Sequence, residues 1–86
     1  MPEVSWFYGI VIKVYFGDHN PPHFHAEYGD FEIVIGIESL AVIAGEFPPR
    51  AMGLVSEWAL LRQRELTAAW ERARRLEAPG RIAPLS

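Results

Sequence analysis

The chain has 86 residues, a formal net charge of −3 and no cysteine, and half of its residues are hydrophobic. This length allows a single domain of residues 1–86, and an aromatic content of 13% is too high for an intrinsically disordered chain. Because small secreted domains usually depend on disulfides, the sequence predicts a soluble, cytoplasmic protein. Segment 1–5 lacks the pattern of a signal peptide, and no apolar stretch is long enough to span a membrane.

The charges are unevenly distributed along the chain. Residues 1–47 contain seven acidic side chains and one lysine, whereas residues 48–86 contain seven arginines and four glutamates. This distribution is typical of two oppositely charged layers that attract each other. The alternative is an arginine-rich face for RNA or for an acidic partner, which the interleaved glutamates disfavour.

Alternating apolar side chains predict a first strand from Trp6 to Phe16, rich in β-branched and aromatic residues. Glycine, aspartate, asparagine and two prolines follow in residues 17–22 and predict a stiff loop. Two further strands are expected over residues 23–28 and 31–37, because Gly29-Asp30 between them is typical of a two-residue hairpin turn.

This turn sets the register of the predicted hairpin. It pairs Tyr28 with Phe31 at one end and His23 with Gly36 at the other, where the glycine leaves room beside the histidine. The apolar face predicted for the core comprises Phe24, Ala26, Tyr28, Phe31, Ile33 and Ile35. The opposite face comprises His23, His25, Glu27 and Glu32. The unfavourable pairing of the two glutamates would be relieved by a bound cation, a partner's basic side chain, a shift of register or solvent screening.

A fourth strand is predicted over residues 40–47, followed by a long helix that starts at Pro48-Pro49 and ends before Pro79-Gly80. The apolar stripe of this helix comprises Leu54, Val55, Trp58, Leu61, Leu66, Ala69, Ala73 and Leu76, together with Arg62. The expected fold class is therefore α+β. A curled antiparallel sheet of about four strands (residues 6–47) packs on one long helix (about 49–77), with a tail (78–86) docked by Ile82 and Leu85.

Segment 18–25, DHNPPHFH, places three histidines and one aspartate within eight positions. His23 and His25 lie two apart on a predicted strand, so their side chains share one face with Cα atoms roughly 6.5 Å apart. Such a pair can converge on one divalent metal ion such as zinc, and Asp18 or His19 could supply a further ligand. The candidate metal ligands are therefore His23, His25, Asp18 and His19.

The same four side chains are the candidate catalytic residues, because histidine can act as a general acid or base near neutral pH. Three interpretations stay open: a metal site, metal-free acid–base or phosphate-contacting chemistry, and ordinary loop and sheet contacts. A metal-free ribonuclease would also need a cation, for which Lys13 and Arg50 are the candidates. Phosphate-binding glycine loops and nucleophilic cysteines are absent from the sequence.

The motif Asp-His-x-Pro-Pro-His-x-His at residues 18–25 resembles that of a family of small prokaryotic proteins, domain of unknown function number 4160. The similarity extends from Tyr8-Gly9-Ile10 through the motif to segment 54–59 (LVSEWA), Trp70 and the closing residues 82–85 (IAPL). Every fixed position of the motif is present here. The family has no established activity, so the resemblance implies no mechanism.

The resemblance does imply a partner. Members of this family often occur beside a second small domain-of-unknown-function protein, number 2442, in pairs that look like toxin–antitoxin modules. By that analogy the chain would be the toxin-like component, neutralised by a small cognate protein, with a histidine-based site. Two alternatives stay open: a non-catalytic protein-interaction module, and a protein that binds or cleaves RNA with or without a metal. A homodimer is also compatible with the apolar composition.

Overall fold

Five antiparallel strands form the larger part of the fold in the computed structural model, which describes residues 3–86. The strands are β1 Glu3–Phe7, β2 Ile10–Lys13, β3 His23–Tyr28, β4 Phe31–Gly36 and β5 Val42–Glu46. They lie across the sheet in sequence order, so each connection joins neighbouring strands. This is the predicted α+β class with an antiparallel sheet. Met1 and Pro2, part of the segment inspected for a signal peptide, lie outside the described residues.

The prediction of one strand from Trp6 to Phe16 is wrong, because the chain reverses at Tyr8-Gly9 and forms the β1–β2 hairpin. Tyr8 and Gly9 have φ values of 53° and 80°, the left-handed pair that a two-residue hairpin turn requires. A Cβ atom on Gly9 would lie 3.4 Å from the ring of Tyr28, which is ordinary contact, so the need for glycine comes from the left-handed backbone. The sheet consequently has five strands and begins at Glu3.

The predicted register of the β3–β4 hairpin is confirmed at all six pairs, from Tyr28–Phe31 to His23–Gly36. Phe24, Ala26, Ile33 and Ile35 are buried in the core as predicted. Tyr28 and Phe31 are 39% and 44% exposed, so their assignment to the core is wrong. These two residues flank the turn, where the helical layer no longer covers the sheet completely.

The predicted single helix is two helices, α1 Pro49–Leu61 and α2 Gln63–Arg74, separated at Arg62. The backbone N–H of Arg62 donates to the carbonyls of both Trp58 and Ala59, and its φ and ψ of −113° and 20° leave the helical region. Gln63 then donates from its amide to the carbonyls of Ile37 and Glu38, at 2.7 and 3.0 Å. These bonds fix α2 to the loop after β4. Neither helix is long and apolar enough to cross a membrane.

The core lies between the sheet and the two helices. Its helical contribution comprises Ala51, Val55, Trp58, Ala59, Leu66, Ala69, Trp70 and Ala73. Leu61 and Leu76 are 65% and 72% exposed, contrary to prediction: the break at Arg62 changes the helical phase, and α2 ends before Leu76. The tail docks as predicted, because Ile82 is buried and Leu85 packs against the core.

Candidate metal centre

Residues 14–22, which lead from β2 to β3, are attached to the fold at two points. The backbone N–H of Gly17 donates to the carbonyl of Ala73 in α2 at 3.1 Å. The carbonyl of Pro22 accepts from the N–H of Ile37 at 2.9 Å. The bond between Asn20 and Pro21 is cis. The loop therefore turns back over the start of β3, where His23 and His25 project.

Three of the four predicted site residues meet there. Asp18, His23 and His25 each offer one ligand atom, and these atoms all lie within 4.8 Å of one another. Asp18 Oδ2 is 2.8 Å from His23 Nε2 and 3.8 Å from His25 Nε2. His19 is not part of this group: its side chain is 91% exposed, and its Nδ1 lies 3.2 Å from the other carboxylate oxygen of Asp18, Oδ1. Its ring lies edge-on to that of His23, with centroids 6.3 Å apart.

The Nδ1 atom of each ring lies within hydrogen-bond distance of an acceptor. His23 Nδ1 lies 2.7 Å from the carbonyl oxygen of Pro21, which can only accept, so this nitrogen carries a proton. His25 Nδ1 lies 3.3 Å from a carboxylate oxygen of Glu32, which calls for a proton in the same way. Each ring consequently turns Nε2 toward Asp18. Among residues 3–86, His25 Nε2 is buried and has no hydrogen-bond partner.

Asp18 is held in its ionised form. Burial acts to raise the pKa of its carboxyl, but the hydrogen bond from the backbone N–H of His19 and the nearby charge of His23 outweigh that effect. The pKa of Asp18 therefore lies below its ordinary value. An ionised carboxylate that faces two ring nitrogens is an anionic ligand ready for a cation.

Two aromatic residues that were not among the predicted site residues pack against the histidines. Tyr15 contacts the ring of His25 edge-on, with centroids 4.5 Å apart, and burial raises the pKa of its phenol. Trp70 of α2 lies 5.0 Å from the ring of His23. Tyr15 could have been found from the alternation of β2, because Lys13 pairs with His25 and Tyr15 continues the same face. Trp70 carries no such signal, since its contact depends on the docking of α2.

The repulsion between Glu27 and Glu32 is relieved within the chain, in a way that the sequence did not indicate. Lys13 on the adjacent strand lies 3.1 Å from both carboxylate oxygens of Glu27, and this hydrogen bond raises the pKa of its ammonium group. Glu32 instead contacts His25. Lys13, one of the two candidate cations for a metal-free ribonuclease, is therefore paired with Glu27. Arg50, the other candidate, lines a cavity together with Tyr8 and Tyr28.

Gly36 lies opposite His23, as predicted. A Cβ atom on it would also come within 2.9 Å of the hydroxyl oxygen of Ser39. The glycine therefore makes room for the turn between β4 and β5.

The group fits a single transition-metal ion. Bonds of about 2.0–2.2 Å to a tetrahedral zinc ion separate the ligand atoms by about 3.4 Å. The separations of 2.8 and 3.8 Å from Asp18 to the two histidines bracket that value. Two imidazole nitrogens and one carboxylate oxygen leave at least one position open, which distinguishes catalytic from closed structural zinc sites.

Comparison with protein families finds one match. The model of a domain of unknown function, DUF4160, matches residues 9–71, which include β2 to α1, most of α2 and all three candidate metal ligands. The tail that docks through Ile82 lies outside the match. Neither the curated proteins nor the solved structures give a match. Because the matched segment covers well over half of the chain, the protein belongs to the DUF4160 family.

Proposed function

We propose that the protein binds one divalent transition-metal ion, zinc being the best fit, through Asp18, His23 and His25. The observation that carries this proposal is the orientation of the two rings. Both turn Nε2 toward the same carboxylate oxygen, while acceptors hold both Nδ1 atoms. Such second contacts orient histidine ligands in metal sites and raise the basicity of the ligating nitrogen.

A neutral histidine protonated on Nδ1 has a lone pair on Nε2. In His23 that lone pair would face the carboxylate of Asp18 at 2.8 Å, which is repulsive. A second proton on the ring or a cation between the groups would remove the repulsion. A second proton on His23 alone would pair its ring with Asp18 but leave the buried Nε2 of His25 without a partner among the described residues. If both rings were protonated, two positive rings with centroids 5.3 Å apart would share a partly buried site. One metal ion would engage all three groups with both rings neutral.

A zinc ion held by Asp18, His23 and His25 would supply Lewis-acid chemistry toward a carbonyl or phosphoryl oxygen. The chain supplies the three ligands, and the limited exposure of the Asp18, His23 and His25 side chains (18%, 10% and 17%) keeps most water away. His19, exposed beside Asp18, is placed to exchange protons with a bound substrate. The proposed activity is therefore metal-dependent hydrolysis. Metal-free acid–base chemistry by the same histidines is the competing outcome.

Titration calorimetry and elemental analysis of the untagged protein test this proposal. We expect one equivalent of zinc with a dissociation constant below about 1 µM, roughly 8 kcal/mol of binding free energy. His23→Ala with His25→Ala should weaken binding at least about 100-fold, because the loss of a supporting contact alone typically costs 10–100-fold. His19→Ala is the matched control and should change the affinity less than about threefold.

Three results would count against the metal site. They are wild-type affinity weaker than about 100 µM, retention of full affinity by the double variant, and an equal loss in His19→Ala. Circular dichroism of each variant separates lost ligands from lost folding. Hydrolysis in the absence of metal, abolished by the double variant, would favour the acid–base alternative.

The second proposal is that a small protein of the 2442 family binds the chain and neutralises it as a toxin-like component. The specific support is the asymmetry of the two sheet edges. At β1, the carbonyl of Val4 accepts a bond from the tail residue Ile82 at 2.7 Å. All five residues of β5 are exposed, including Val42 and Ile43 at 50% and 49%. An uncovered edge strand favours the addition of a partner strand.

Co-expression with the cognate protein tests this second proposal. Val42→Lys with Ile43→Lys should abolish co-purification, because lysines on an edge strand oppose pairing. The double histidine variant should keep the complex and lose the growth inhibition. A complex that survives both lysines would exclude β5 as the interface, and growth inhibition that persists without the histidines would separate toxicity from the metal centre.

A further inference from the structure

A second concave site lies far from the metal centre. A cavity of about 400 Å³ opens between the β1–β2 turn, the end of β3 and the start of α1. Tyr28, which lines it, follows His23 by five positions along β3, so the two sites are roughly 16 Å apart along the strand. The volume falls within the range of small-molecule sites, about 300–1,000 Å³. Neither the metal centre nor the uncovered β5 edge uses this cavity.

The walls of the cavity are held in place by the fold. The left-handed turn at Tyr8-Gly9 projects Tyr8 at one side, and the ring of Tyr28 packs over Gly9. Phe47 supports the ring of Tyr28 from behind, with centroids 6.2 Å apart. Pro48, whose own ring is rigid, forms the opposite wall.

The floor is apolar. It is made by Ile10 and Ala51, which are 0% and 4% exposed, together with Leu54, which packs against the core. Flat aromatic and proline surfaces above an apolar floor favour a planar ring as the ligand.

Arg50 is the one charged residue among those that line the cavity. Within the described part of the chain, no carboxylate lies within 4.0 Å of its guanidinium. The same holds for Arg64, Arg72 and Arg74, but these three do not line the cavity. A free guanidinium at the rim of an aromatic cavity suits a carboxylate or phosphate group, which it binds through two parallel hydrogen bonds.

We infer that this cavity binds a small aromatic ligand that carries one anionic group. The ring lies between Tyr8, Tyr28 and Pro48 over the apolar floor, and the anionic group pairs with Arg50. Such a pocket selects against aliphatic acids, which lack a ring face, and against neutral aromatics, which leave the arginine unpaired. Because the site is independent of Asp18, His23 and His25, ligand binding does not require the metal centre.

The inference is tested by nitrogen-15 NMR titration of the full chain with 4-hydroxybenzoate, indole-3-acetate and adenosine 5′-monophosphate. Cyclohexanecarboxylate and indole serve as the aliphatic and neutral comparisons. At least one of the three aromatic anions should bind with a dissociation constant below about 1 mM, at least about tenfold tighter than either comparison. The amide signals of Tyr28 and Ala51 should move most. The two carboxylates and the phosphate are titrated separately, so a comparison of their dissociation constants shows which anion the cavity prefers.

Three variants locate the contacts. Arg50→Gln should weaken binding at least about tenfold, since a hydrogen bond to a charged group is lost. Arg64→Gln, a substitution in α2 outside the cavity, should leave binding unchanged. Tyr8→Asn removes a ring while keeping a residue that tolerates the left-handed backbone, and should also weaken binding. The inference is overturned if all three aromatic anions bind more weakly than about 1 mM, or if Arg50→Gln binds like wild type.

Discussion

Saturating zinc is expected to raise the melting temperature of the protein by about 10–20 °C. A ligand present at 100 times its dissociation constant, and bound only by the folded chain, adds about 2.7 kcal/mol of stability. For a domain of 60–100 residues, each kcal/mol shifts the midpoint by roughly 4–8 °C. The shift in melting temperature is large because the chain is small, and a small domain has a small entropy of unfolding.

Differential scanning calorimetry with and without zinc measures this shift. The double variant His23→Ala, His25→Ala should show no shift beyond about 2 °C, whereas His19→Ala should keep it. Magnesium should have no comparable effect, because it prefers oxygen ligands and the site offers two imidazoles. An equal shift in the double variant would place the zinc elsewhere on the chain.

Replacement of Trp58 by alanine is expected to cost about 3–5 kcal/mol of the free energy of unfolding. The ring is fully buried and contacts Phe7 and Phe24, with centroids 5.2 and 6.0 Å away. Its Nε1–H donates to the carbonyl of Ala83 at 2.8 Å, so the substitution also frees the tail. A chain of this length has a total stability of roughly 4–13 kcal/mol, so the substitution should remove a large fraction of it.

Urea denaturation followed by circular dichroism measures this loss. Trp6→Ala is the matched control, because Trp6 is 60% exposed on β1 and its removal should change stability by less than about 0.5 kcal/mol. A loss below about 1 kcal/mol for Trp58→Ala would mean that Trp58 does not join the helical layer to the sheet as described.

The register of the β3–β4 hairpin could be predicted from the sequence because local chemistry determines it. Gly29-Asp30 permits one tight turn, and the alternation on either side allows one register that keeps the apolar side chains together. The same register placed His23 and His25 on one face. The placement of His23 and His25 in the candidate metal centre therefore follows from the two-residue repeat of a strand.

Two features of the fold were predicted wrongly, the turn at Tyr8-Gly9 and the break at Arg62, and they have different causes. Tyr8 favours strands by propensity, so the left-handed turn at Tyr8-Gly9 was not evident within an otherwise alternating run. The break at Arg62 occurs in a stretch of good helix formers without proline or glycine. It accompanies the bonds from Gln63 to the loop after β4, which exist only in the folded chain.

The candidate site was likewise predicted only in part from the sequence. The motif pointed to four residues, and the structure brings Asp18, His23 and His25 together while His19 stays exposed. Spacing alone could not separate Asp18 from His19, because the path of the loop depends on its attachment to α2 through Gly17. The carbonyl that orients the ring of His23 likewise belongs to the loop backbone, which has no signature in the side-chain pattern.

The most direct test of the metal centre is a crystal structure of the protein grown with one equivalent of zinc, with anomalous diffraction measured at the zinc edge. The account predicts one strong peak about 2.0–2.2 Å from Nε2 of His23, Nε2 of His25 and a carboxylate oxygen of Asp18. A peak elsewhere, or no peak with Asp18 and His23 still in direct contact, would contradict it.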